Sequence, residues 1–309
     1  MTLLNIKNLA RTVLRKMGLE VKRLPRQVES PEPGYLKQGR IPWSPGYNEA
    51  KERFLRHAIG DAQLLQLFGT QGRLPQGFGF GFDERCVEYP WLLAHLQSGP
   101  DILLDAGSAL NHAFILDYPV FEKKELHVLT LAPEDNCFWK KGISYLFGDL
   151  RDIPVRDAYY DTIVCISTLE HVGCDNTIYT HDEADREQRP TDFIGAMQEL
   201  SRVLKPGGRL FLTVPYGSYR HYGSFQQFDS QLLSRAIAAF GQASAVRESF
   251  YRYTAEGWDL AEEKDCASGE YVEWVAKLWS DGQWPEQLPV EPDGAAAARG
   301  VACVSLTKL

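Results

Sequence analysis

The sequence predicts a doubly wound α/β fold: a parallel sheet with helices on both faces. Three observations predict it. From residue 100 onward short apolar strand patterns alternate with helical ones. The first of those strands ends in Asp105-Ala-Gly-Ser108, and a helical stretch near 192–204 runs into Lys205-Pro-Gly-Gly208 before another apolar strand.

The elements follow in order. Leu3, Ile6, Ala10, Val13 and Met17 recur at helical spacing, with Lys7, Arg11 and Arg15 on another face, so residues 3–17 read as an amphipathic helix stopped by Gly18. Pro and Gly punctuate the stretch from Pro25 to Gly46, which reads as irregular. Residues 47–68 read as helical, with Phe54, Leu55, Ile59, Leu64, Leu65 and Phe68 as core candidates. A glycine-rich loop, Gly77–Gly81, then leads to Asp83-Glu-Arg85 and a short helix through Tyr89, Trp91 and Leu93. Strands are expected at Ile102–Leu104, Leu126–Leu131, Ser144–Phe147, Thr162–Ile166, Arg209–Val214, Ala245–Tyr253 and Val301–Leu306. A helix at about 192–204 presents Phe193, Met197, Leu200 and Leu204 on one side. The Pro and paired Gly of Lys205–Gly208 stop it and turn the chain.

Composition narrows the function. The six cysteines are scattered without a CxxC pair, so reduced thiols in a cytoplasmic protein are expected and no zinc site is. No apolar run approaches the roughly 18 residues of a membrane span. The net charge is −8, yet residues 1–26 hold seven basic side chains against the single acid Glu20. The rest of the chain is therefore strongly acidic, which disfavours a nucleic-acid partner. The basic amphipathic tip can rest on the inner face of a membrane as a weak peripheral contact through residues 3–17, or pack on protein; both readings stand.

The order of motifs over residues 100–216 resembles the class I S-adenosylmethionine-dependent methyltransferases. It comprises Asp105-Ala-Gly-Ser108, then Gly148-Asp149-Leu-Arg-Asp-Ile-Pro154 after a third strand, then Tyr160 to Val172 ending in polar residues, then Leu204-Lys-Pro-Gly-Gly208. The resemblance implies a seven-stranded Rossmann-like sheet whose last strand, Val301–Leu306, runs antiparallel. The chain then divides into a basic helix and linker (1–46) and a methyltransferase domain (47–309). Within that domain lie a helical lead-in (47–99), a cofactor-binding core (100–216) and an acceptor-side region with the final strands (217–309). It also implies that Asp105, Gly107 and Ser108 line the methionine part of S-adenosylmethionine, Asp149 and Leu150 meet the adenine, and Ser167 borders the transferred methyl.

The sequence departs from the common pattern in two places. Ala109 and Asn111 stand where many members place further glycines. The second strand ends Leu-Thr-Leu-Ala-Pro133 without the usual ribose-binding acid, for which Glu134, or secondarily Asp135, would substitute. Outside the core, Asp83–Trp91 and Gly223–Asp229 resemble a bacterial subgroup associated with surface-polysaccharide synthesis.

Methyl transfer to a hydroxyl needs alignment, a dry site and a proton acceptor. His171, following the fourth strand, is the first choice of base, with a pKa near neutrality expected of an imidazole; the alternative is a strand cap bonded to backbone. Glu170 would orient His171 or bond backbone. Quinone-pathway relatives hold a metal with acids in this region, but Ser167 replaces one of them, so no metal is expected. The long polar stretch Gly173–Pro190, with Asp175 and His181, would cover the substrate or form a solvated loop. Tyr216, His221, Gln226 and Gln227 after the fifth strand would suit a hydroxyl-rich acceptor. Arg85 would pair with the cofactor's carboxylate or with Glu88, and the aromatic pairs Trp43/Tyr47 and Trp279/Trp284 read as packing.

The reading is O-methylation of a saccharide or lipid-linked saccharide. A small aromatic or quinone-like acceptor is the rival within enzymes, and a catalytically inactive cofactor-binding scaffold or regulatory protein is the rival outside them.

Overall fold

The computed structural model of the chain describes residues 32–37, 39–134, 136–273 and 290–309. The expected helix at 3–17, Asp135 and the pair Trp279/Trp284 lie outside the described residues.

Among the described residues eight strands form one sheet: β1 Ile102–Ala106, β2 Glu125–Thr130, β3 Ser144–Phe147, β4 Tyr160–Ile166, β5 Leu204–Pro215, β8 Ala243–Thr254, β9 Gly257–Ala261 and β10 Gly300–Lys308. Between β5 and β8 the two-residue strands β6 (Arg220–His221) and β7 (Gln226–Gln227) make a separate hairpin, which the sequence reading did not expect. The spatial order is β3-β2-β1-β4-β5-β10-β8-β9. Strands β1 to β5 pair in parallel. The last strand, β10, inserts antiparallel between β5 and β8, as expected. The addition to the expected seven is β9, which folds back on β8 at the sheet edge.

Alternation along β4 explains the two-faced burial. Val164 and Ile166 join one apolar cluster while Ile163 and Cys165 join the other, because successive side chains point to opposite faces. The first cluster takes helices α2 (Tyr47–Gly60), α3 (Ala62–Gly69) and α4 (Arg85–His95), which follow the short α1 (Glu32–Lys37). Beyond β1 and β4 lie two single turns of helix, α5 (Ala113–Leu116) and α6 (Thr177–Thr180). The second cluster takes α7 (Phe193–Val203) and α8 (Ser230–Phe240); a last turn, α9 (Glu263–Cys266), precedes β10.

One local expectation is refined and one corrected. Residues 47–68 form two helices, because the Asp61 side chain accepts from the N–H groups of Gln63 (2.8 Å) and Leu64 (3.2 Å) and starts a new helix there. Lys205–Gly208 is a bulge within β5, since Tyr160 pairs with Leu204 while Thr162 already pairs with Arg209. Gly207 at φ 76 lets that bulge turn.

Candidate active site

The carboxyl ends of β1, β2 and β4, with the loop after β3, open onto a crevice of about 680 Å3, where a doubly wound sheet receives ligands. Its lining includes Gly107, Ser108, Glu134, Asp149, Leu150, Ser167, His171 and His181. A chamber of about 210 Å3 adjoins it, and Arg85, Ser167, His171, Ile178 and Tyr179 line both cavities.

Asp105 does not line the crevice. Its fully buried carboxylate accepts from the backbone N–H groups of Ala109 (3.1 Å) and Leu110 (2.8 Å), so it organises the loop that faces the ligand. Burial pushes its pKa up to about 7, against the pull of those two bonds. Gly107, at φ 114, is required by packing: a Cβ there would stand 2.1 Å from the Thr168 hydroxyl. Ser108 takes the left-handed conformation at φ 64, and its buried Oγ has no hydrogen-bond partner among the described residues.

At the end of β2, the Thr130 hydroxyl donates to Glu134 over 3.0 Å, placing a carboxylate on the crevice where the strand itself lacks one. After β3, Asp149 accepts from Arg151 Nε (3.0 Å) and from the Arg151 backbone N–H (2.7 Å). Burial draws the Asp149 pKa upward, but Arg151 outweighs it and holds the carboxyl below the usual range. Arg151 also reaches Glu187 (2.6 Å) and Asp192 (2.8 Å), which fastens the 173–190 segment over the crevice. That segment carries α6 and a single turn at Glu183–Asp185, and its Ile178, Tyr179, His181 and Glu187 line the crevice wall.

After β4, Ser167 adopts φ 39 and gives its hydroxyl to Glu88 Oε1 at 2.6 Å. Thr213 Oγ1 donates to the same oxygen at 2.6 Å, and Arg85 binds Glu88 Oε2 at 2.5 Å. Arg85 is thus paired with Glu88 while still lining both cavities.

His171 Nδ1 lies 2.7 Å from the carbonyl oxygen of Ser224. A carbonyl only accepts, so Nδ1 carries the proton and Nε2 keeps its lone pair. Burial, with a smaller push from the Arg85 charge, lowers the His171 pKa to about 4, well below the neutral value expected from sequence. Glu170 does not orient His171. Its Oε2 is buried with no partner among the described residues, it lines the smaller chamber, and burial pushes its pKa well up.

Several expected acceptor residues serve the fold instead. Asp175 accepts from the Thr177 hydroxyl (2.6 Å) and N–H (3.1 Å). Tyr216 is buried and donates to Glu263 at 2.6 Å, and His221 Nδ1 accepts from the Gly223 N–H at 3.1 Å. The Gln226 and Gln227 amides donate to the carbonyls of Pro190 and Gly269, each at 2.6 Å. These five side chains tie strands and loops together and line neither cavity. Sequence reasoning missed Tyr89, Thr168 and Tyr179 on the crevice. No cluster of three or more metal-ligating side chains occurs among the described residues.

Residues 125–212, from β2 to the middle of β5, match the family described as "Methyltransferase domain". That stretch is similar to a methyltransferase domain. The cofactor of such a domain is S-adenosylmethionine. A demethylmenaquinone methyltransferase of Renibacterium salmoninarum is 27% identical over 140 residues, 45% of this chain and 49% of that protein. The chain therefore spans about half the length of that relative. Among solved structures, the cyclase SpnF aligns with TM-score 0.44 and 17% identity over 82% of this chain and 93% of that one. The Burkholderia thailandensis 1,6-didemethyltoxoflavin-N1-methyltransferase, with 1,6-didemethyltoxoflavin and S-adenosylhomocysteine bound, aligns with TM-score 0.42 and 11% identity over 93% of this chain and 94% of that one.

The residues that line the crevice are compatible with this cofactor. The Ser108 hydroxyl, without a partner among the described residues, could take a hydrogen bond at the β1 loop, and Glu134 would offer ribose hydroxyls a carboxylate at the β2 end. Buried Leu150 adds an apolar surface to the crevice that would suit an adenine. The crevice volume also lies within the roughly 300–1,000 Å3 typical of sites for ligands of this size.

Proposed function

We propose that this chain transfers the methyl group of S-adenosylmethionine to a hydroxyl oxygen of a saccharide or lipid-linked saccharide. One observation carries the reading: His171, its Nδ1 proton held by Ser224, stands in the wall common to the cofactor crevice and the adjoining chamber with Nε2 unprotonated. Bound S-adenosylmethionine supplies an electrophilic methyl carbon: the acceptor oxygen bonds to it as the carbon–sulfur bond breaks and that electron pair returns to sulfur. His171 Nε2 takes the hydroxyl proton as the new bond forms. An oxygen that is gaining a methyl group becomes far more acidic than an alcohol, so a base with a pKa of about 4 suffices. Gly107, Ser108 and Glu134 bind and orient on one side, and Ile178 and Tyr179 help exclude water on the other. Peripheral membrane contact through residues 3–17 would bring the chain to a lipid-linked acceptor.

A second reading, a quinone-like acceptor, is favoured by the similarity to the demethylmenaquinone methyltransferase. Incubation with S-adenosylmethionine carrying a tritiated methyl separates the two. Label in the lipid-linked saccharide fraction of a cell envelope, lost in His171→Ala, supports the proposal; label in demethylmenaquinone alone supports the second reading. Cofactor binding without transfer to either pool would mark the chain as a cofactor-binding scaffold.

A further inference from the structure

The smaller chamber, of about 210 Å3, lies beyond the shared wall of Ser167 and His171 and has the makings of a selective seat. It is lined by rings of Trp43, Tyr179, Phe225 and Tyr271. Phe225 is held between Tyr222, stacked at 4.7 Å, and Tyr271, also at 4.7 Å. The volume is below the roughly 300 Å3 at which drug-sized sites begin, so it holds one small ring and little more.

Its charges are largely matched already. Lys51 binds Asp83 at 2.5 Å, and Arg85 binds Glu88 at 2.5 Å. Of the remaining carboxyl groups, Glu84 accepts from the Ala298 N–H at 3.2 Å, and Glu273 is half-buried. Glu170 is left, 3% exposed, with Oε2 unpartnered among the described residues. A cation gains little from Glu170, because burial favours its uncharged form. A purely apolar ring would leave the Glu170 oxygen unpaired, which a buried polar group resists. A neutral ring rich in hydroxyls satisfies Glu170 and lays its C–H faces on the aromatic walls. Burial favours the protonated form of Glu170, and a carboxyl group can both donate to and accept from a hydroxyl.

We propose that this chamber is the acceptor subsite and takes a single uncharged polyhydroxylated ring, one of whose hydroxyls is held by Glu170. The inference rests on the function proposed above and narrows its substrate class.

The test uses the full chain. Calorimetry with S-adenosylhomocysteine first reports whether the cofactor site works, which separates failure of the methyltransferase reading from failure of the subsite. Saturation-transfer NMR then probes glucose, mannose and rhamnose, with catechol and histamine as competing chemistries, with and without S-adenosylhomocysteine. The expected result is transfer to at least one sugar and to neither competitor. That signal should survive in Glu170→Gln, which keeps the hydrogen bond, and weaken roughly tenfold in Glu170→Leu, as loss of one bond to a buried group implies. Ser224→Phe, made at a half-buried loop position on the chamber wall, should abolish it even if Glu170→Leu fails to fold. Silence from all three sugars, transfer to catechol or histamine instead, or undiminished sugar signal in either blocking variant would overturn the proposal.

Discussion

The Ser167 hydroxyl donates to Oε1 of Glu88 at 2.6 Å, across 79 positions of sequence, and so locks the cofactor-side turn after β4 to the buried face of α4. Thr213 on β5 donates to the same oxygen and Arg85 pairs with the other, which makes one fully buried carboxylate the common anchor of three elements. Removing it strands a guanidinium and two hydroxyls. Glu88→Ala should lower stability by about 3–5 kcal/mol, the usual cost of breaking a buried ion pair. Glu88→Gln should cost less, since it can still accept from the hydroxyls. Urea unfolding followed by circular dichroism reads both, and an unchanged midpoint in Glu88→Ala would refute the anchor.

Asp105 acts through its loop, so its loss should appear first in stability. Asp105→Ala leaves the buried N–H groups of Ala109 and Leu110 without their acceptor, at about 1–3 kcal/mol each. The thermal midpoint should therefore fall along with cofactor affinity. A variant with wild-type stability and weakened S-adenosylhomocysteine binding would instead place the carboxylate on the ligand.

His171 sets a pH dependence whose sign follows from its lowered pKa of about 4. The neutral imidazole predominates above that value, so single-turnover methyl transfer should be flat from about pH 5.5 to 8 and fall only toward pH 4. His171→Ala should lose roughly 100-fold or more in rate, as removal of a general base does, with cofactor affinity within a few-fold of wild type. An acid limb near neutrality, or near-normal turnover in the variant, would remove His171 from the proton path.

The same shift makes His171 oppose folding in mild acid. The unfolded chain takes up its proton near pH 6.5 and the folded chain only near pH 4, so between those values this residue's contribution to stability rises with pH. Wild type should thus gain stability relative to His171→Ala as pH is raised from about 4.5 to 6.5, by urea midpoints at each pH. A difference that stays constant over that range would contradict the neutral, buried imidazole.

Much of the frame was legible. The seven expected strands stand within a few residues of their positions because each is an apolar run closed by Gly, Pro or a polar turn. Gly60-Asp61 already carried the signal of a second helix start within 47–68. The side-chain roles were less legible. A carboxylate at a strand end reads equally as a ligand contact or a loop anchor, and only the fold shows Asp105 turned onto Ala109 and Leu110. Gln226 and Tyr216 were misread because the groups that occupy them, Pro190 and Glu263, lie 36 and 47 positions away. Glu88 looked like a local i,i+3 partner of Arg85, and its bond to Thr213 spans 125 positions.

The basic N-terminal stripe gives a separate expectation. Each Lys or Arg near an anionic surface contributes about 1 kcal/mol. Full-length protein should co-sediment with anionic vesicles and not with neutral ones, and a chain starting at Pro25 should lose that binding. Equal behaviour of the two proteins would contradict a membrane contact.

The central claim is that the crevice at Gly107, Ser108 and Glu134 holds S-adenosylmethionine, and titration calorimetry with S-adenosylhomocysteine tests it most directly. The wild-type chain should bind one equivalent. Gly107→Val should abolish binding while circular dichroism stays native, because the added carbons collide with Thr168 and displace the loop that carries Ser108. No heat of binding to the wild-type chain, or equal affinity in Gly107→Val, would contradict the account.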